Sequence, residues 1–330
     1  MTKRNWSVEK FDLPLRFDWK ISRGSSQQKT IFILRIQQGK YQGLGEVAFN
    51  KRYGESEESI DKGLKEFIQK SEKISRLEDL LAFMEELKLD YSLRFGIESA
   101  WTRLEARIKN VSVARYLGLK EVRSVKSSFS LPIMETGQIA EFIESLQLKR
   151  FSTLKVKVNE NAVETVREVA KHYSGPLRID PNEVWTDPDQ VLRFIEAIKG
   201  IELEFLEQPL PAGLDDELLY LKKKSSVVLV ADESLTHEGV TSYHADRFHG
   251  VNVKLMKAGG FVPALNQLRK ARELGMKTML GCMIETSVGI SAAMELAQDV
   301  NYLDLDGFLL LKEDPFGLVR EAGGELFLTT

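Results

Sequence analysis

Residues 154–180 read LKVKVNENAVETVREVAKHYSGPLRID: a β-rich run, an amphipathic helical stretch and a second β-rich run. In the first run valines alternate with lysines, as in a strand, and apolar residues then recur at helical spacing over Asn161–Tyr173. A strand, a helix and two short loops take roughly 20–30 residues in a βα unit. The stretch therefore predicts one βα unit of a parallel sheet and the strand that follows it.

The same unit recurs along the chain after about residue 120. Helical stretches separate the β-rich runs, for example Pro188–Lys199 and Pro263–Leu274. Other α/β sheets alternate in a similar way, but eight regular units favour closure, so we predict a modified (β/α)8 TIM-type barrel over residues 121–311. The helix after the eighth run is short or missing, because Lys312-Glu-Asp-Pro-Phe-Gly is turn-like. The eight runs are Ser128–Leu131, Leu154–Val158, Leu177–Asp180, Leu203–Glu207, Val227–Asp232, Val251–Lys254, Lys277–Leu280 and Leu303–Asp306.

Residues 1–120 have a different character and predict a separate α+β domain. Their β-rich segments come first and their helical segments follow, which is typical of an α+β arrangement. We expect residues 312–330 to return to this domain. The β-rich segments are Thr30–Gln37 and Gly43–Phe49, and the helical ones are Ser56–Ile74, Leu77–Leu87 and Ile97–Lys109.

Composition excludes several classes of partner. The chain has 330 residues, 43% of them hydrophobic, and a net charge of −3, so neither nucleic acid nor an anionic membrane is an expected partner. No apolar run approaches the roughly 20 residues that cross a bilayer, and the first ten residues do not resemble a signal peptide. The single cysteine, Cys282, fits a reducing compartment. We therefore expect a cytoplasmic protein.

Charged residues recur where the predicted barrel strands end, which is the face where barrel enzymes place their active sites. Asp180, Glu207 and Asp232 end three successive strands and should converge. Carboxylates without histidine or cysteine suit a hard cation, so we expect one Mg²⁺. The alternative is that each carboxylate caps a helix or pairs with a lysine.

Three lysines face the same mouth. Lys155 and Lys157 are two residues apart, so both leave the same face of their strand, whereas Lys254 lies across the barrel. Two amines on opposite sides of one molecule can each reach a different face of its α-carbon. Burial near a cation lowers the pKa of a lysine, so it can act as a base near neutral pH. The alternative is that these lysines are solvated.

At these residues the chain resembles the enolase superfamily, and within it the muconate-lactonizing-enzyme subgroup. The resemblance implies a capping domain before the barrel, Mg²⁺ held by Asp180, Glu207 and Asp232, and Lys157 and Lys254 as the acid and base, with Lys155 beside them. Asn182 corresponds to a polar companion of the metal ligands. The segments that carry the resemblance are Leu154-Lys-Val-Lys-Val, Arg178-Ile-Asp-Pro-Asn, Glu207-Gln-Pro, Ala231-Asp-Glu-Ser and Val251-Asn-Val-Lys-Leu-Met-Lys-Ala-Gly-Gly.

The last predicted strand, Asp304-Leu-Asp-Gly-Phe-Leu-Leu-Leu, is similar to the D-x-D segment of the dipeptide epimerases, in which the pair binds the substrate ammonium group. The alternative is that Asp304 and Asp306 pair with a lysine or arginine. Gly281-Cys-Met-Ile-Glu-Thr resembles the seventh strand of that family and brings Met283 to the substrate. Arg23, in a loop expected to cover the site, is a candidate for a Glu side chain of the substrate or a solvated arginine. Ser130 is expected to line the pocket.

The resemblance implies 1,1-proton transfer at the α-carbon of a dipeptide, with L-Ala-D/L-Glu in cell-wall peptide metabolism as the candidate substrate. The alternative within the subgroup is o-succinylbenzoate synthase, a lyase that removes water with one lysine as base. A third hypothesis, from another class of function, is a barrel that binds a ligand without turnover. In each case the partner is a small carboxylate, and the resemblance also allows a homo-oligomer.

Overall fold

A computed structural model describes residues 4–22 and 24–329 and divides the described strands among three sheets. An eight-stranded sheet follows the chain order, and its neighbouring strands pair in parallel. Two three-stranded antiparallel sheets accompany it, one from the start of the chain and one that includes its end. The predicted barrel with an N-terminal α+β domain is confirmed.

The N-terminal domain, called the cap below, packs three helices on an antiparallel meander. Its core contains Ile36, Phe67 and Trp101, each no more than 2% exposed. The first strand is an edge strand and was not predicted from the sequence, although apolar residues alternate with exposed ones over residues 11–21. The elements are β1 (Asn5–Ile21), β2 (Gly24–Gln38), β3 (Tyr41–Val47), α1 (Glu57–Lys70), α2 (Leu77–Glu86) and α3 (Tyr91–Ile108).

The barrel strands lie within two residues of their predicted bounds. The short strand β4 (Ser124–Lys126) precedes them. The barrel strands are β5 (Phe129–Leu131), β6 (Leu154–Lys157), β7 (Leu177–Asp180), β8 (Leu203–Glu207), β9 (Leu229–Ala231), β10 (Gly250–Lys254), β11 (Lys277–Gly281) and β12 (Tyr302–Asp304). The helices are α4 (Val113–Tyr116), α5 (Ile139–Ser145), α6 (Ala162–His172), α7 (Pro188–Ala197), α8 (Asp215–Lys224), α9 (Ser242–Arg247), α10 (Leu255–Ala258), α11 (Phe261–Glu273) and α12 (Ser287–Glu295).

Hydrogen bonds between the first and last barrel strands close the ring. The Ser128 N–H donates to the carbonyl of Leu303 at 3.3 Å, and the Leu305 N–H donates to Ser127 Oγ at 2.8 Å. Directly after β12 the chain forms a 3-10 turn, Gly307–Leu310, where the sequence predicted a short or missing helix.

The end of the chain contacts both domains. Strands β13 (Val319–Ala322) and β14 (Glu325–Leu328) form a hairpin that pairs with β4. The Lys312 N–H donates to the carbonyl of Pro14 in the cap at 2.8 Å. Within residues 4–22 and 24–329, no helix combines the length and the apolar character needed to span a membrane.

Candidate active site

The carboxyl ends of the barrel strands bring the predicted charged residues together. Strand register sets Lys157 opposite Asp180, and Glu207 ends the next strand while Asp232 follows the one after it. All of these side chains are buried: Asp180 and Glu207 are 0% exposed and Lys157 is 9% exposed. A buried charge is costly unless it is paired, so each of them is expected to have a partner of opposite charge.

Lys155 is the centre of this charge network. Its Nζ lies 2.7 Å from Glu207 Oε2, 3.0 Å from Asp180 Oδ2 and 2.9 Å from Asp304 Oδ2. Burial lowers the pKa of Lys155, but these three carboxylates outweigh it and raise the pKa well above its ordinary value. Lys155 therefore stays protonated and supplies positive charge, and it is poorly suited to act as a base.

The carboxylates differ in charge state. Burial favours protonation of Asp180, but the ammonium groups of Lys157 and Lys155 lower its pKa to about 2. Asp232 behaves in the same way, because Lys254 and Lys257 offset its burial and hold its pKa well below the ordinary value. Burial raises the pKa of Glu207 to about 7, since Lys155 compensates only in part.

Lys157 and Lys254 face one another across the barrel. Their strands, β6 and β10, are four positions apart in the ring of eight. Lys157 Nζ lies 2.5 Å from Asp180 Oδ2, and Lys254 Nζ lies 2.8 Å from Asp232 Oδ2. Burial lowers the pKa of Lys254, but the charge of Asp232 raises it above the ordinary value.

The donor set of the three strand-end carboxylates fits a hard cation. Asp180, Glu207 and Asp232 offer only oxygen, which is the ligand type that Mg²⁺ takes from proteins. Within the described part of the chain, no three acidic, histidine or cysteine side chains are arranged closely enough to hold an ion. Lysine ammonium groups contact all three carboxylates: Lys155 pairs with Asp180 and Glu207, and Lys254 pairs with Asp232. The residues therefore suit the cation in chemistry, and the lysines neutralise them in this arrangement.

A cavity of about 690 Å³ lies between the strand ends and the cap. Both Lys157 and Lys254 line it, as do Ser130, Met283 and the two aspartates of the last strand. The cap contributes residues of the β1–β2 hairpin and of the turn after β3, including Lys29, Lys51, Arg52 and Tyr53. Arg52 pairs with Glu183 of the barrel at 2.6 Å, and Ser22 Oγ donates to the carbonyl of Asn182 at 3.1 Å, so both cap segments contact the barrel.

The two aspartates of the last strand have different environments. β12 ends at Asp304, so Asp306 does not continue the strand as predicted and instead precedes the 3-10 turn. Asp304 pairs with Lys155 and accepts a hydrogen bond from Ser128 Oγ at 2.7 Å, which is the alternative considered from the sequence. Asp306 Oδ2 accepts the backbone N–H of Ser130 at 2.6 Å and forms no ion pair with a described lysine or arginine.

Of the two remaining candidates, one lies among the described residues and the other does not. Asn182 lies beside the carboxylates, because its backbone N–H donates to Asp180 Oδ1 at 3.0 Å and its Nδ2 donates to Glu233 Oε1 at 3.4 Å. Arg23 lies outside the described residues, so its role stays a prediction.

Sequence reasoning missed two residues of the network. Lys257 Nζ donates to Asp232 Oδ1 and to the Asp232 carbonyl, both at 2.6 Å. No strand period would have found it, because it lies on the one-turn helix α10. Asn252 Nδ2 donates to Glu207 Oε1 at 2.8 Å. It lies two residues before Lys254 on β10, so the alternation that placed Lys155 beside Lys157 would have placed it too.

Known proteins share this architecture. Residues 138–310 match the family described as Enolase C-terminal domain-like. The chain is 32% identical over 331 residues to an L-Ala-D/L-amino acid epimerase from Maribacter sp. (strain HTCC2170 / KCCM 42371), covering 98% of this chain and 96% of that protein. An enolase family member from Agrobacterium tumefaciens with homology to dipeptide epimerases, solved with bound sodium and L-Ala-L-Glu, has a TM-score of 0.91 at 26% identity, covering 99% of this chain and 98% of the other.

A second solved structure is similar over its full length. It is a dipeptide epimerase from Methylococcus capsulatus, complexed with Mg and the dipeptide L-Arg-D-Lys. It has a TM-score of 0.86 and 28% identity, and the match covers 100% of this chain and 98% of that one. By the family match, the overall sequence similarity and the shared fold, the chain belongs to the enolase superfamily.

Proposed function

We propose that this protein is a Mg²⁺-dependent dipeptide epimerase, an isomerase that inverts the α-carbon of the C-terminal residue of its substrate. The observation that carries the proposal is the pair of buried lysines, Lys157 and Lys254, which line one cavity from strands on opposite sides of the barrel. The relatives reported above are named epimerases or bind dipeptides, which supports the same class of reaction.

Inversion requires two groups that handle the same proton position from opposite faces. One lysine, as a neutral amine, takes the α-proton, so the C–H bond breaks while an N–H bond forms. The other lysine, as an ammonium, then donates a proton to the opposite face of the planar enediolate. The pairing of Lys254 with Asp232 favours the protonated state that this second step needs. The roles exchange when the reaction runs in reverse.

The proposed metal ligands are Asp180, Glu207 and Asp232. A divalent ion held there would offset the second negative charge that develops on the substrate carboxylate when the α-proton leaves. Lys155 adds to this positive field, because its ammonium group lies among the same carboxylates. The proton on the carbon next to a carboxylate is too weakly acidic for an amine alone to remove. The positive charge of the ion and of Lys155 would make its removal feasible.

For the substrate, we propose a dipeptide with a free amino terminus. Asp306 is 3% exposed, lines the cavity and has no described ion-pair partner, so a substrate ammonium group would satisfy it. L-Ala-L-Glu is the first dipeptide to test, and a role in cell-wall peptide metabolism follows if it is turned over. o-Succinylbenzoate synthase is less favoured, because its substrate has no ammonium group for Asp306 to bind.

Incubation of the purified protein with Mg²⁺ and a library of L,L-dipeptides in deuterated water tests the proposal. Epimerisation gives inverted products that carry deuterium at the α-carbon. We expect Lys157→Ala and Lys254→Ala each to abolish inversion. Lys277→Ala serves as the matched control, because this exposed lysine begins β11 at the opposite end of the barrel. Dipeptides that remain unlabelled and uninverted would refute the proposal.

A further inference from the structure

One face of cap helix α3 contacts the barrel segment that follows Lys254. Tyr91, Phe95 and Glu98 are spaced i, i+4 and i+7, so they lie along the same side of the helix. A Cβ atom added to Gly259 would lie 2.9 Å from Tyr91 Cδ1, and the Phe95 ring meets the Phe261 ring edge to face with centroids 6.3 Å apart. Glu98 Oε1 accepts the backbone N–H of Val262 at 3.0 Å. Three successive cap contacts therefore hold residues 259–262.

Glu98 caps a helix of the other domain. Helix α11 begins at Phe261, and its N-cap residue is Gly260, which has no side chain to accept the first N–H groups. The Glu98 carboxylate, 0% exposed, accepts from Val262 and also faces the N–H of Phe261. The cap thus supplies the acceptor that the barrel sequence lacks at this helix end.

The fit around Glu98 is tight. A Cβ atom on Gly260 would lie 1.3 Å from Glu98 Oε2 and 2.5 Å from its Cδ, and Gly260 has φ 144°, a conformation open essentially to glycine alone. Glu98 Oε2 has no hydrogen-bond partner among the described residues. The carboxylate is therefore fixed by its contact with the glycine backbone and by one well-formed acceptor bond.

Little chain separates this contact from Lys254. Lys254 is the N-cap residue of the one-turn helix α10, which ends at Gly259. Within that turn, Lys257 is anchored to Asp232 at 2.6 Å, and the sulfur of Met256 accepts the N–H of Ala48 from the cap at 3.5 Å. The segment is short, so we expect a shift at Gly260 to move the backbone of Lys254.

We propose that Glu98 is a positioning residue for Lys254. By capping α11 and fixing Gly260, it sets the register of α10 and so the placement of Lys254 Nζ on its side of the cavity. Lys157 belongs to β6, across the barrel, and does not depend on this contact. This inference rests on the proposed function, because it requires that Lys254 handles the α-proton from one face.

Glu46 provides a matched control. It is also a cap glutamate, 0% exposed, and it also serves the N-terminus of a barrel helix. Its carboxylate accepts the N–H and Oγ1–H of Thr286 at 2.8 and 2.6 Å and the N–H of Gly289 at 2.8 Å, at the start of α12. Its hydrogen bonds therefore support the segment after β11.

The test measures α-proton exchange in deuterated water from the L,L and the L,D epimer of one dipeptide separately, as initial rates. We expect Glu98→Ala to lower exchange tenfold or more for one epimer, the same one that Lys254→Ala loses, and to leave the other within twofold. Glu98→Asp, which keeps the carboxyl group but withdraws it by one methylene, should give a smaller loss of exchange for the same epimer. Glu98→Gln keeps the Oε1 acceptor and should restore most of the lost rate.

A general loss of stability would give a different result. Glu46→Ala should change both exchange rates by similar factors. If folded Glu98→Ala or Glu98→Asp lowers both rates equally, or neither, the positioning role is refuted while the proposed function stands. If the wild-type protein exchanges no α-proton of any dipeptide, the proposed function fails, and the inference fails with it.

Discussion

Asp306 is the cavity carboxylate whose environment leaves most of its charge uncompensated. Burial and the neighbouring charge of Asp304 raise its pKa to about 7, and the N–H of Ser130 compensates only in part. Asp304, by contrast, is engaged by Lys155, and although burial opposes it, its pKa is lowered. Asp304 therefore belongs to the charge network around Lys155, and Asp306 is the residue that we propose binds the ammonium group of the substrate.

We expect Asp306→Asn to lower kcat/KM for dipeptides by roughly 10- to 100-fold, the loss of one charge-assisted hydrogen bond. The loss should appear mainly in KM, since the ammonium group lies away from the reacting carbon. The control substrate is the same dipeptide with an acetylated amino terminus, for which the substitution should change little. Equal losses with both substrates would remove Asp306 from ammonium recognition.

At the scale of the helices and strands, two glutamates of the cap accept backbone N–H groups at the N-termini of barrel helices. Helix α11 has no side-chain acceptor of its own there, because its N-cap residue is Gly260. Helix α12 has one, the side chain of Thr286. For Glu98, burial raises the pKa to about 8, although the N–H groups of Val262 and Phe261 oppose the shift. Because this pKa is above the ordinary value of 4.5, folding favours the protonated carboxyl of Glu98. Its contribution to stability is fully present below that value and is lost as the pH rises through about 8.

Glu98→Gln removes this titration. We expect the free energy of unfolding of the wild-type protein to fall more steeply than that of the variant between pH 4.5 and about pH 8, by a few kcal/mol in total at about 1.4 kcal/mol per pKa unit. Denaturant unfolding at several pH values measures both slopes. Parallel curves for the two proteins would show that Glu98 does not titrate in this range.

Regular elements were the most predictable part of the fold. All eight barrel strands lie within two residues of the sequence-based bounds, because apolar strands spaced evenly along the chain leave little freedom. β1 was missed although its second half, residues 11–21, alternates less exposed apolar residues with exposed ones, as a strand with one buried face does. The start of α3 was placed at Ile97 instead of Tyr91, since that helix is buried on nearly all sides and has no polar face to mark its first turns.

The residues of the candidate site also differ in whether the sequence could predict them. Asp180, Glu207, Asp232, Lys157 and Lys254 could be found because strand ends of a parallel barrel meet at one face. Lys257 could not, because its placement depends on the turn after β10. Glu98 and Glu46 could not be found either, because each acts on a helix that comes more than 150 residues later in the chain. No local pattern encodes such a contact.

At the scale of the whole molecule, the cavity exists only where cap and barrel meet. The barrel supplies the charged floor, and the cap supplies the β1–β2 hairpin and the turn after β3. Both domains line the cavity, and buried contacts such as those of Glu46 and Glu98 hold them together. The roles of Arg23 in specificity, a homo-oligomeric state and a cytoplasmic location stay predictions from the sequence.

Magnesium binding should stabilise the whole fold, because the three carboxylates converge only in the folded chain. At about a hundred times Kd, binding adds about 2.7 kcal/mol, which raises Tm by roughly 4 °C for a chain of this size. We expect Asp180→Asn to lose this Mg²⁺-dependent rise. Asp216→Asn, an exposed aspartate on α8, should keep it. A rise that survives in Asp180→Asn would place the ion elsewhere.

The two-sided arrangement of amines is tested most directly by α-proton exchange in the two lysine variants. With L,L and L,D epimers measured separately in deuterated water, we expect Lys157→Ala to retain exchange with one epimer and Lys254→Ala with the other. If both variants retain exchange with the same epimer, or if either retains full epimerisation, the two lysines do not act on opposite faces of the substrate.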